Sequence, residues 1–142
     1  MLFKGIVSGL ALYIVLVALD ILFKTNTERL LLNIDFITGQ ATSPFLLEVT
    51  LHLLVSIILY FSLSRLFLYR GLYIAAYIVL FVVFIGLFFI LSHLSLTMHY
   101  DLTIKLMFVW LLGHTFYLFI VHLMIKHAYS YSEIWYINRS EE

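Results

Sequence analysis

The chain has no cysteine and a single proline in 142 residues, and only 11% of it is charged. Without cysteine there is no disulfide framework, no thiolate metal site and no nucleophilic thiol, so a bound metal or haem would rest on histidine and carboxylate ligands. Eight Lys and Arg against eight Asp and Glu leave no net charge, hence no basic field to attract nucleic acid. What is present is overwhelmingly apolar: 64% of the residues are hydrophobic, and the mean hydropathy is +1.10. A soluble domain of this size cannot bury that much apolar surface, so the composition places the chain in a bilayer. Aromatic residues make up 18% of it, which suits interfacial Tyr and Trp belts.

The apolar residues gather into four runs, at about 3–23, 44–68, 72–97 and 102–127, with a tail at 128–142 that loses membrane character. Each run reaches the ~20 residues that a helix needs to cross a hydrocarbon core of ~30 Å. The expected fold is therefore all-α, a single polytopic domain of four transmembrane helices. The first run is longer than a typical signal-peptide core and is followed by no small-x-small cleavage site, so it reads as an uncleaved helix. Its Gly5, Ser8, Gly9 and Ala11 permit close helix approach, and Gly9, Tyr13, Leu16 and Asp20 share a face. Asp20 and Lys24 stand at the i,i+4 spacing of an ion pair. Residues 25–43 form the longest break, and their leucines among charged residues point to a segment lying on the surface or folding back over the bundle mouth. Ser43-Pro44 is a helix-start signal, Gly71 would allow a tight reversal, and Asp101 can cap the fourth helix.

The second run carries the residues that most need explaining. Glu48, His52 and Ser56 follow one another at i,i+4 steps in a membrane-length helix, and ionisable groups at such depth face a bundle interior, find a partner or mark a working site. Helical spacing places Gly86, His93 and Thr97 on one face of the third run, and Met107, Trp110, His114 and Val121 on one face of the fourth. Glu48, His52, His93 and His114 together would make a first shell for a divalent metal, and haem between two histidines is a lesser option. Asp20 can join the same polar cluster. The competing reading is that these residues are interhelical glue, each bond worth about 0.6 kcal/mol on average. His99, His122 and His127 read as peripheral.

Lys4, Arg65, Arg70, Lys126 and Arg139 flank one side of the expected bundle, against Lys24, Arg29 and Lys105 on the other, which makes both termini cytoplasmic in a plasma (inner) membrane. The expected function is non-enzymatic: a buried Glu/His cluster serving proton- or metal-linked sensing, or an accessory role. One alternative is an enzyme on a lipid or lipid-linked substrate, with His52 or His114 as base oriented by Glu48. Another is a purely structural subunit, as a homo-oligomer or in a larger membrane complex.

The stretches LHLLVSIILY around His52, FFILSHLS around His93 and WLLGHTFYLFIVHL around His114, with the pair Gly113-His114, resemble the YagU-like small inner-membrane proteins. The resemblance covers the last three helices. It implies a plasma-membrane protein linked to tolerance of acid or envelope stress, without an established reaction.

Overall fold

The computed structural model describes residues 1–39, 44–96 and 103–139, with side chains through Ser130. Thr97, His99 and the capping role expected of Asp101 lie outside them. Four long helices, α1 (Leu2–Phe23), α4 (Phe45–Leu66), α5 (Arg70–Leu94) and α6 (Ile104–Arg139), are joined to two short ones, α2 (Thr27–Leu32) and α3 (Asp35–Thr38). Among the described residues there is no strand. The four long helices are each long and apolar enough to cross a membrane. Helix α6 runs on into the expected interfacial tail because AYSYSEIWYINR contains neither Gly nor Pro; losing hydropathy does not end a helix.

The long helices form an antiparallel ring. Helix α1 sits between α4 and α6, and α5 closes the other side of the same pair. Close approach on the α1 seams is set by glycine. A Cβ on Gly5 would lie 2.7 Å from the Ile57 backbone, one on Gly9 would lie 2.7 Å from Ser56 Oγ, and one on Gly113 would collide with Leu16. Small residues let helix backbones touch where lipid offers no hydrophobic drive for association. Gly86, by contrast, has open space beside it, so no neighbouring helix approaches closely there. Gly71 needs no special backbone either, since Gly39 and Lys24 are the positive-φ residues among those described.

The core runs down the ring axis as Leu12, Leu16, Tyr60, Leu63, Tyr117, Val121 and Ile125, continued at one end by Leu30, Phe88, Leu106 and Trp110. Large apolar side chains such as Ile14, Ile58, Val82 and Phe119 point outward. Only 11% of the apolar window of α5 is buried against 44% for α6, so α6 is the central packing element and α5 a peripheral one.

Helices α2 and α3 fold back over the mouth formed by the C-terminal ends of α1 and α5 and the N-terminal ends of α4 and α6. Leu30, Leu32 and Ile34 are buried there, and α2 touches all four long helices. Of the two placements expected for residues 25–43, the strap over the mouth is the one found for the described part, 25–39. Lys24, in the left-handed region with φ 53°, turns the chain out of α1.

Candidate functional site

Polar groups concentrate in three places: the strap, the α1/α4/α6 interior, and the α5/α6 seam near the α4–α5 hairpin.

At the strap, Asp20 is the organising residue. Its Oδ1 accepts hydrogen bonds from Thr25 Oγ1 at 2.5 Å and Thr27 Oγ1 at 2.9 Å, while Oδ2 accepts from the Glu28 backbone N–H at 2.8 Å. It thereby satisfies N–H and hydroxyl donors at the start of α2, where a helix leaves backbone donors open. The expected Asp20–Lys24 ion pair is replaced by these bonds, because the left-handed turn at Lys24 carries the following threonines back over the carboxylate. Among the described residues the one ion pair is Arg29 Nε to Glu28 Oε1 at 3.7 Å. Glu28 Oε2 is buried with no hydrogen-bond partner, and the side chain opposite is Asp20. Burial, and then the Asp20 carboxylate, push the Glu28 carboxyl above its ordinary value of 4.5. The far side of the strap is held by Asp35, whose Oδ2 accepts from Leu96 N at 2.9 Å and Ser95 Oγ at 3.3 Å, and by Asn33 Nδ2, which donates to Ser95 Oγ at 2.7 Å.

In the interior, His52 Nε2 donates to Gly9 O at 3.1 Å, tying α4 to α1 at the glycine seam. A carbonyl can only accept, so the proton is on Nε2. His114 Nδ1 donates to Trp110 O at 2.8 Å, and its ring lies 4.2 Å from the Trp110 ring and 4.4 Å from that of Phe84. His114 is buried, and near enough to His52 for their charges to interact. The Tyr117 hydroxyl, also buried, is without a hydrogen-bond partner, although the Ser8 and Ser56 hydroxyls are the groups it faces. Their geometry falls short of a bond.

The shared shell expected of Glu48, His52, His93 and His114 does not form. Glu48 is half-buried and its charged neighbour is Asp35; no hydrogen bond or ion pair joins it to His52. His93 is exposed. The inward face of α5 runs through Tyr73, Phe84 and Phe88, and His93, five residues past Phe88, lies about 140° around the helix at 3.6 residues per turn. Among the described residues no group of three His, Asp or Glu side chains stands ready to hold a metal. Helical spacing had placed each residue on a face, but one polar residue per helix does not reveal whether that face meets its neighbours.

The third place was missed. Tyr77 OH donates to Leu118 O at 3.1 Å, Tyr73 OH donates to Tyr77 OH at 2.9 Å, and Tyr73 OH lies 3.0 Å from His122 Nδ1. Each hydroxyl has one proton, and both are spent, so His122 Nδ1 must be the donor to Tyr73. A signal existed in the Tyr73/Tyr77 pair at i,i+4 in an otherwise apolar helix. Beside this chain of bonds, α5 and α6 frame an open groove of about 470 Å³ lined by Tyr73, Tyr77, Thr115, His122 and apolar side chains.

This arrangement defines a small helical bundle with a strapped mouth and polar seams. No family model, curated protein or solved structure matches the chain.

Proposed function

We propose that the chain is a multi-pass membrane protein without enzymatic activity that responds to protons through the strap. The observation that carries this reading is the buried Glu28 oxygen facing Asp20: two acceptors meet, and only a proton on Glu28 turns the encounter into a hydrogen bond. The proton-linked role thus moves from Glu48 and His52 to the strap; His52 serves as an interhelical tie, and His114 bonds within α6. A strap that tightens in acid also accords with the acid tolerance that the YagU-like resemblance implies.

The direction of the pH effect follows from linkage. A carboxyl whose pKa is raised in the closed state stabilises that state fully below its ordinary value, and the contribution is lost as pH rises through the raised one. The strap is therefore tightest in mild acid and loosens toward neutrality. Charged and titratable groups on the elements around α2 are Asp20 and Lys24 at α1, Asp35 on α3, Glu48 and His52 on α4, His93 on α5, and Lys105 and His114 on α6. Of these, Asp20 acts on the Glu28 carboxyl, alongside Arg29 of α2 itself.

Hydrogen exchange of peptides spanning α2 and α3, corrected for intrinsic rates, should slow as the pH falls from neutral to mildly acid. Glu28→Gln should hold the strap closed at both pH values. Asp20→Ala should open it at both, since it leaves the Glu28 N–H without its acceptor, a loss of about 1–3 kcal/mol. Equal pH dependence in wild type and Glu28→Gln would remove Glu28 as the sensor.

The orientation read from the flanking charges has its own test. The chain has no cysteine, so Gln40→Cys should react with an impermeant thiol reagent in intact cells and Ser140→Cys should not. The opposite pattern would put the strap on the cytoplasmic side.

A further inference from the structure

The described charges divide unevenly between the ends of the bundle. The strap end holds Asp20, Glu28, Asp35 and Glu48 together with Lys24, Arg29 and Lys105; the hairpin end holds Lys4, Arg65, Arg70 and Lys126, with Glu133 seven residues beyond Lys126 along α6. The α5/α6 groove opens at this basic end. Arg70 stands three residues before Tyr73, and Lys126 four residues after His122, so helical spacing puts both cations on the faces that carry the polar end of the groove. Both are exposed. Beyond the Tyr73–His122 bond the groove is walled by Ile74, Ile78, Phe81, Leu118 and Phe119, and its volume lies in the ~300–1,000 Å³ range of small-molecule sites.

We propose that this groove seats one acyl chain of an anionic glycerophospholipid, with the phosphate held between Arg70 and Lys126. The apolar trough and the basic rim then match the tail and the charge of one molecule. His122 donates Nδ1–H to Tyr73, so the neutral ring offers Nε2 as an acceptor, fit for a headgroup hydroxyl. Tyr73 and Tyr77, locked to one another and to the Leu118 carbonyl, fix the floor. The inference rests on the membrane-spanning part of the reading above and is independent of the strap.

The full chain, extracted from membranes in detergent, should retain phosphatidylglycerol over phosphatidylcholine of identical acyl chains in native mass spectrometry. Two cations at a headgroup correspond to a preference of about thirtyfold. Arg70→Gln with Lys126→Gln should bring it close to unity. Ile78→Trp, which fills the groove from an outward-facing position and spares the core, should remove the retained lipid while leaving the unfolding midpoint unchanged. Equal retention of both lipids by the wild type would overturn the proposal. So would a preference that Ile78→Trp leaves intact, since the lipid would then be held by charge alone. A chain recovered from the soluble fraction without detergent would instead refute the membrane reading itself.

Discussion

Gly5→Val should cost the bundle more than any other single addition of carbon. The ideal Cβ at this position already lies 2.7 Å from Ile57 Cα, with Ile57 Cγ1 at 3.0 Å. The obstacle is backbone, which cannot rotate out of the way as a side-chain tip can, so α1 and α4 must move apart along their length. Separation also stretches the His52–Gly9 bond, now 3.1 Å, one turn along the same seam. The penalty should exceed the usual ~1–3 kcal/mol of an overpacked core, and Gly9→Val, against Ser56 and Leu53, should behave similarly. Gly86→Val is the matched control: nothing lies within 4 Å of its Cβ position, and it should leave stability unchanged. Unfolding in mixed micelles with increasing SDS, followed by tryptophan fluorescence, would read the difference. Equal midpoints for Gly5→Val and Gly86→Val would mean that α1 and α4 are not in contact.

Trp110→Ala should be the most damaging truncation. The indole is 1% exposed, packs against Phe88 and His114, and donates Nε1–H to Phe84 O at 2.9 Å. It is the side chain that joins α6 to α5 beneath the strap. Removing it leaves a cavity under Leu30 and Leu106, neighbours in the same cluster, for a loss of about 3–5 kcal/mol. Trp110→Phe keeps most of the volume and forfeits the bond, worth about 0.6 kcal/mol between helices in a bilayer. The Phe84 carbonyl retains its helical donor. The same SDS titration, followed by circular dichroism because both substitutions remove the core fluorophore, should rank the variants wild type, Phe, Ala with a wide gap before the last. A Phe variant as unstable as Ala would mean that the hydrogen bond, rather than the packing, holds this corner.

The four long helices were legible because uninterrupted apolar runs of this length admit few other structures. The inward faces of α1 and α6 were legible too: Gly9, Leu16 and Asp20 are buried as their spacing implies, as are Trp110, His114 and Val121. Helix α5 resisted the same treatment. Its residues are apolar on every side, so periodicity has no contrast to work with, and His93 was given an inward face that Phe84 and Phe88 in fact occupy. The strap's chemistry was hidden for a different reason. Asp20 and Lys24 obey the helical rule for an ion pair, but α1 ends at Phe23, and the left-handed turn that follows decides which groups meet the carboxylate. His122 looked solitary because its partner Tyr73 lies 49 residues away on another helix, a distance that only the antiparallel α5/α6 register bridges.

The order of the ring fixes when the molecule can be finished. Helix α1 has α4 on one flank and α6 on the other, and Gly113 of α6 is the seat into which Leu16 fits. On a ribosome α1 emerges first and α6 last, so the earliest helix waits through the synthesis of three others before its second flank is covered. During that interval α1 can hold α4 across the Gly5 and Gly9 seam, but the strap lacks the α5 end that Asn33 and Asp35 grip and the α6 surface that carries Trp110. Closure of the mouth is thus a late event, completed only after α6 has been made. A chain truncated within α6 would leave α1 paired with α4 and its other flank bare.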